Sequence, residues 1–307
     1  MRLLNELAPP GEGRTLLAAP ARHDVLRGIG FMLAGMFLFA VNDSLGKHLL
    51  GRYAVGELML VRGAAGLAVM LPLLWRAGLP LLVRGRQPGL QWLRFALSPA
   101  EAGLFFWALA TLPLAEVMTY YQAGPIWATA ISAFVLRERV GWRRWAAVGV
   151  GFAGAGVALH PAGGLSLGAG SALLGSVLYA GFLVATARLP AIPRPVLMAQ
   201  QLVATLLFGA AIVPFQGWAP PGPLDFGLML ALGFGSLAAN LCVNMALRLG
   251  PAASIVPFQY TMLPWGIALG YLLFGTLPGL AGLAGAVVIV AAGLFIVARE
   301  QRLAAAG

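Results

Sequence analysis

Apolar runs recur along the chain, each able to supply the roughly 20 residues that carry a helix across a hydrocarbon core, and each ends in Pro, Gly or Arg. The pattern predicts ten transmembrane helices, at 28–49, 54–75, 89–111, 113–136, 142–159, 168–188, 195–215, 224–248, 251–275 and 278–298. Turns at Pro113 and Pro251 divide two stretches that otherwise read as single long spans. The expected fold class is an all-α polytopic membrane protein. Residues 1–26 are rich in Pro, Gly and Arg and read as a cytosolic tail, as do residues 300–307.

Basic residues add an orientation. With the N-terminus in the cytosol, seventeen of the 20 Lys and Arg residues fall inside, among them Arg27, Arg84, Arg94, Arg143, Arg188, Arg194 and Arg248. Lys47 and Arg52 fall outside, and Arg62 lies within a helix. Cytosolic loops carry such an excess, so both termini are expected in the cytosol of a multi-pass protein of the inner (plasma) membrane. Trp75, Trp92, Trp142 and Trp145 sit at the predicted inner interface, where indole rings anchor.

Composition narrows the function classes. Hydrophobic residues make up 60% of the chain and charged residues 10%, against about 25% charged in a soluble domain. No separate soluble domain fits. The net charge of +10 comes from arginines in the gaps between apolar runs, which speaks for a lipid bilayer and against a nucleic-acid partner. Cys242 is the only cysteine, so no intrachain disulfide is expected. His23, His48 and His160 are too scattered for a metal site. No HExxH, nucleophile elbow or phosphate-cradling loop occurs, so neither an enzyme nor a cofactor is expected. A membrane-embedded transferase or a non-transporting interaction protein is the alternative. Liposome assays of solute flux against product formation separate these classes.

The chain also repeats itself. Gly28, Gly30, Gly35, Leu38 and Ala40 align with Gly168, Gly170, Gly175, Leu178 and Ala180, an offset of 140. Ala108, Leu109, Pro113 and Trp127 align with Ala246, Leu247, Pro251 and Trp265 at 138. Five helices per half is an odd number, so the second half must be inverted. Inverted repeats with a site near the midplane are a recurrent transporter design.

With these features the sequence resembles the drug/metabolite transporter superfamily, in its ten-helix branch with two EamA-type repeats, at 27–159 and 160–299. The resemblance rests on Asn42 and Lys47 after Phe39, and on Leu136-Arg137-Glu138-Arg139 before the glycine-rich fifth helix from Trp145 to Leu159. Phe274-Gly275-Thr276 stands where many relatives carry a glutamate, a departure from the pattern. Helix order and aromatic content are most similar to YddG-type exporters of aromatic amino acids. The resemblance implies export of small metabolites by alternating access, through a central cavity lined by helices one, three, four, six, eight and nine. Helices five and ten would be packing elements, and their lack of charged or amide side chains between Ala146 and Leu159 and between Gly279 and Ala298 agrees.

Candidate site residues follow from polarity within apolar runs. Asp43 and Lys47 share a helical face, either as an exposed pair or as a site for a zwitterion. Arg62 and Glu101 are the charges placed deepest, either a mutual ion pair or, for Glu101, a carrier of a coupling proton. Tyr120, Tyr121, Gln122 and Trp127 on the fourth helix match Phe258, Gln259, Tyr260 and Trp265 on the ninth, with Tyr and Gln in swapped order. Pro125, Pro257 and Pro264 interrupt those helices and free backbone carbonyls. Asn42, Asn240, Asn244 and Tyr179 complete the expected substrate-binding set. Aromatic faces with amide groups suit a planar or amphipathic ligand.

Overall fold

In lipid every backbone N–H and C=O must be satisfied within the protein, so an apolar run of this length can only be helical. The computed structural model describes residues 22–77, 87–134, 141–158, 166–189 and 192–304. Its helices are α1 (Arg22–Leu50), α2 (Val55–Ala77), α3 (Pro88–Thr111), α4 (Leu114–Tyr121), α5 (Gly124–Phe134), α6 (Trp142–Ala158), α7 (Leu167–Ala187), α8 (Arg194–Gln216), α9 (Pro223–Leu249), α10 (Ala252–Ile255), α11 (Met262–Phe274) and α12 (Leu280–Ala304). A 3₁₀ segment, Val256–Thr261, joins α10 to α11. The fold is all-α, and these elements make ten spans, with α4–α5 as the fourth and α10–α11 as the ninth. Six helices are each long and apolar enough to cross a membrane unaided. The motif at residues 136–139, and Arg84, lie outside the described residues.

The two composite spans break where the sequence carries prolines. Between α4 and α5 the chain turns at Gln122 and Ala123, and Pro125 begins the next helix where its missing N–H costs nothing. In the ninth span Pro257 sits inside the 3₁₀ segment. The turns that open both spans share their first bond: Glu116 N donates to Pro113 O at 3.1 Å, and Ser254 N donates to Pro251 O at 2.9 Å. Gly275, at φ 64°, ends the ninth span in a left-handed cap, with Thr276 N donating to Gly270 O at 3.2 Å. A glycine turns left there without strain.

Packing carries the inverted repeat. Helix α1 lies along α9, and α3 lies along α7; α2 pairs with α8, α6 with α12, and α4–α5 with α10–α11. Exchanging the halves turns the α1–α9 pair into α7–α3 and maps each other pair onto itself. Individual contacts obey the same exchange. A methyl at Gly28 would meet Leu249, and one at Gly168 would meet Thr111, the equivalent residue 138 positions earlier. Gly63 packs on the backbone nitrogen of Leu206, and Gly209 on that of Leu60. This reciprocal pair has an offset of 146, so the second half carries extra length before its second helix. Small residues permit such close approach where lipid offers no hydrophobic drive.

Helices α6 and α12 pack as a pair through Ala147, Val148, Ala155, Ile289, Ala292 and Ile296. The surface is apolar: Phe215, Leu280 and Leu167 are 89, 88 and 87% exposed, as suits lipid rather than water. Polar ties gather at the ends of the bundle. Around the α1–α2 turn, Tyr53 Oη donates to Asp225 at 2.7 Å, Arg52 pairs with the same carboxylate at 3.3 Å, and Gly56 N donates to Gln216 Oε1 at 2.8 Å. Ala219 N donates to the buried Glu57 carboxylate beside them. The Asp225 bond holds the Tyr53 phenol above its ordinary pKa. At the opposite end Arg194 donates to Asn244 Oδ1 at 2.7 Å.

Candidate functional site

Asp43 on α1, Arg62 on α2 and Glu101 on α3 meet in the interior. Asp43 and Glu101 are buried, at 7 and 8% exposure, and Arg62 lies within electrostatic reach of both. Neither carboxylate is within the 4 Å of an ion pair with it; Arg52–Asp225 is the one such pair among the described residues. The expected direct Arg62–Glu101 pair therefore does not form. The Arg62 guanidinium instead lies over the Phe106 ring, 5.0 Å from its centroid.

Aromatic rings close this charged triad on one side. Tyr121 Oη donates to the Glu101 backbone carbonyl at 3.2 Å, and its ring meets Phe105 edge-on at 4.9 Å. Tyr179 lies 5.8 Å from Tyr121, ring to ring, and packs at 3.7 Å from where a Gly124 side chain would begin. The glycine that opens α5 thus makes room for a tyrosine from the other half. Gly175 similarly receives the Tyr121 hydroxyl. Asn42, beside Asp43, points its buried Oδ1 at Gly235 on α9 without a hydrogen-bond partner. Ser98, on the face of α3 that carries Glu101, is likewise buried and unpartnered.

Other expected members go elsewhere. Lys47 shares its face with Asp43 in sequence, yet its ammonium donates to the carbonyls of Leu109 and Leu112, at 2.9 and 2.6 Å. These are orphan acceptors at the end of α3, and a lysine is a natural partner for them. An exposed Asp43–Lys47 pair is accordingly absent. Gln122 reaches across the halves to donate to Gln259 O at 3.4 Å. Tyr260 turns toward Gly293 on α12, and Tyr120 is wholly buried in the main core. Trp265 stacks edge-on against Phe37 at 5.0 Å. Asn240 donates to Ser236 O of its own helix, and Asn244 sits at the end of the bundle with Arg194.

The sequence reading placed Arg94 with the cytosolic arginines; the structure buries it at 2% exposure. Its Nε donates to Thr186 Oγ1 at 2.8 Å and its Nη1 to Leu197 O at 3.1 Å, with Phe182 4.6 Å beneath. Its position seven residues before Glu101, two turns along the same face, was the available signal. Phe105 and Phe106 were likewise readable only as packing residues. Nothing in a one-dimensional pattern says which ring a guanidinium will cover.

A ten-span bundle of inverted halves around a buried charged and aromatic centre defines a class: a multi-pass membrane protein with the architecture of a transporter. Residues 26–159 match the EamA-like transporter family. Among curated relatives, the chain is 27% identical to a riboflavin transporter of Vibrio cholerae, over 92% of this chain and 96% of that one. It is 25% identical to an S-adenosylmethionine uptake transporter of Rickettsia felis, covering 90 and 94%. It is also 25% identical to a pseudopaline exporter of Pseudomonas aeruginosa, covering 88 and 95%. A solved crystal structure shares the fold at a TM-score of 0.61 and 21% identity, over 90% of this chain and 98% of its own. The chain is thus similar to EamA-like transporters in its first half and, along most of its length, to membrane proteins named as transporters of small molecules.

Proposed function

We propose that the protein carries a small planar metabolite across the inner membrane, with both termini in the cytosol. The two EamA-type halves, 27–159 and 160–299, exchange conformations about a site formed by Asp43, Arg62, Glu101, Tyr121 and Tyr179. The observation that carries this reading is two buried carboxylates and a half-buried guanidinium from three helices, not ion-paired, with tyrosines from both halves beside them. Intramembrane charges are costly and are retained where they serve a pathway. Offset and edge-on tyrosine rings favour a flat partner, while Arg62 and the carboxylates suit opposite ends of a zwitterion.

Aromatic amino acids are the smallest solutes of that description. The named relatives widen the class, because riboflavin and S-adenosylmethionine also present a flat heterocycle on a polar chain. Arg62 takes the role of carboxylate partner that spacing alone gave to Lys47. Purified protein in liposomes should show saturable counterflow of at least one among tryptophan, phenylalanine, riboflavin and S-adenosylmethionine. Product formation without flux would favour the transferase alternative, and silence toward all four would remove planar metabolites as the substrate class.

A further inference from the structure

The triad of Asp43, Arg62 and Glu101 does not balance its own charge. Two carboxylates face one guanidinium, so the fully ionised cluster carries one negative charge inside a low-dielectric bundle. A buried charge without a partner costs several kcal/mol even after relaxation, and Arg62 lies within ion-pair distance of neither carboxylate. Among the described residues, the nearest other cations are engaged elsewhere. Lys47 is turned to the α3 carbonyls, and Arg94 is held by Thr186 and Leu197. From α4 and α7 come Tyr121 and Tyr179, both neutral phenols. Glu57 is turned to Ala219, Glu116 and Tyr120 lie farther along α4, and Cys242 of α9 packs beside Gly35. Two buried polar groups without partners, Ser98 Oγ and Asn42 Oδ1, lie one turn or one residue from the carboxylates.

We infer that the site holds one exchangeable proton on the Asp43–Glu101 pair when no solute is bound, and that Arg62 balances the remaining carboxylate. The inference rests on the transport reading for its use: a positively charged solute entering the site takes the proton's place, and an uncharged solute leaves it there. Only a proton moves between a carboxylic acid and water, so no other reactant is needed. Arg62 sets the count. Without it both carboxylates must be protonated, and with one carboxylate removed neither needs to be.

The proton is visible without any substrate. Infrared difference spectra of the purified full chain at neutral pH should contain the carbonyl stretch of a buried carboxylic acid. That band should vanish in Asp43→Asn and, independently, in Glu101→Gln, and should grow about twofold in Arg62→Gln. A wild-type spectrum unchanged by both carboxylate substitutions would overturn the inference, because both groups would then be ionised. If Arg62→Gln does not fold, the two carboxylate variants decide alone. Transport need not be observed for either result, so this test and the counterflow test fail separately.

Discussion

Gln122 Nε2 donates to the backbone carbonyl of Gln259 at 3.4 Å, joining the break in the fourth span to the break in the ninth. The Gln259 carbonyl lies in the 3₁₀ segment that Pro257 imposes, and its partner comes from the opposite half. Interhelical hydrogen bonds of this kind contribute about 0.6 kcal/mol on average. Gln122→Leu should therefore lower stability by about that amount. Its effect on flux should be much larger, because the bond links elements that must move relative to each other. Thermal unfolding and counterflow on the same preparation check the contrast; equal, small effects would make the bond merely structural.

Lys47 is expected to act on stability rather than selectivity. Lys47→Met leaves the Leu109 and Leu112 carbonyls without their donor, which should cost about 1–3 kcal/mol. Lys47→Arg should recover much of it. Transport of a carboxylate-bearing solute and of its amide should fall by the same factor. A selective loss of the carboxylate form would return Lys47 to the site.

The reciprocal glycines test the inverted symmetry. Gly63→Leu and Gly209→Leu each drive a side chain into the backbone of the facing helix, and each should cost at least about 1–3 kcal/mol. Gly30→Ala and Gly170→Ala, equivalent positions that face open space, should be tolerated. Expression and unfolding midpoints of the four variants should fall into two matched pairs. One damaging and one harmless member within a pair would break the symmetry.

Orientation has its own check. Reporter fusions should place residues 84 and 143 in the cytosol and Trp218 outside, as the distribution of basic residues requires. Opposite signals would invert the protein and the direction of every gate in it.

Much of this was legible in the residues. The offset of 138 to 140 gave the two halves, and Pro113 with Pro251 gave the matching turns, because a missing N–H and a fixed φ act locally. Pro125 and Pro257 marked the breaks for the same reason. Lys47 and Arg94 were misplaced because spacing along one helix says which residues share a face and nothing about carbonyls on the next helix. Tyr121 and Tyr260 belong to the same Tyr–Gln pair in swapped order, yet one turns to Glu101 and the other to Gly293. That difference arises because Gly175 opens space for the first and Gly293 for the second.

The central claim, that solute passes through the Asp43–Arg62–Glu101 site between the tyrosines, is tested most directly by counterflow in liposomes holding equal amounts of folded wild type, Arg62→Gln and Tyr121→Ala. With whichever of the four planar solutes the wild type carries, both variants should lose about tenfold or more of the flux, the loss expected when an interaction of about 1.4 kcal/mol or more is removed from the path. Wild-type flux in either folded variant would contradict the account and place the route elsewhere in the bundle.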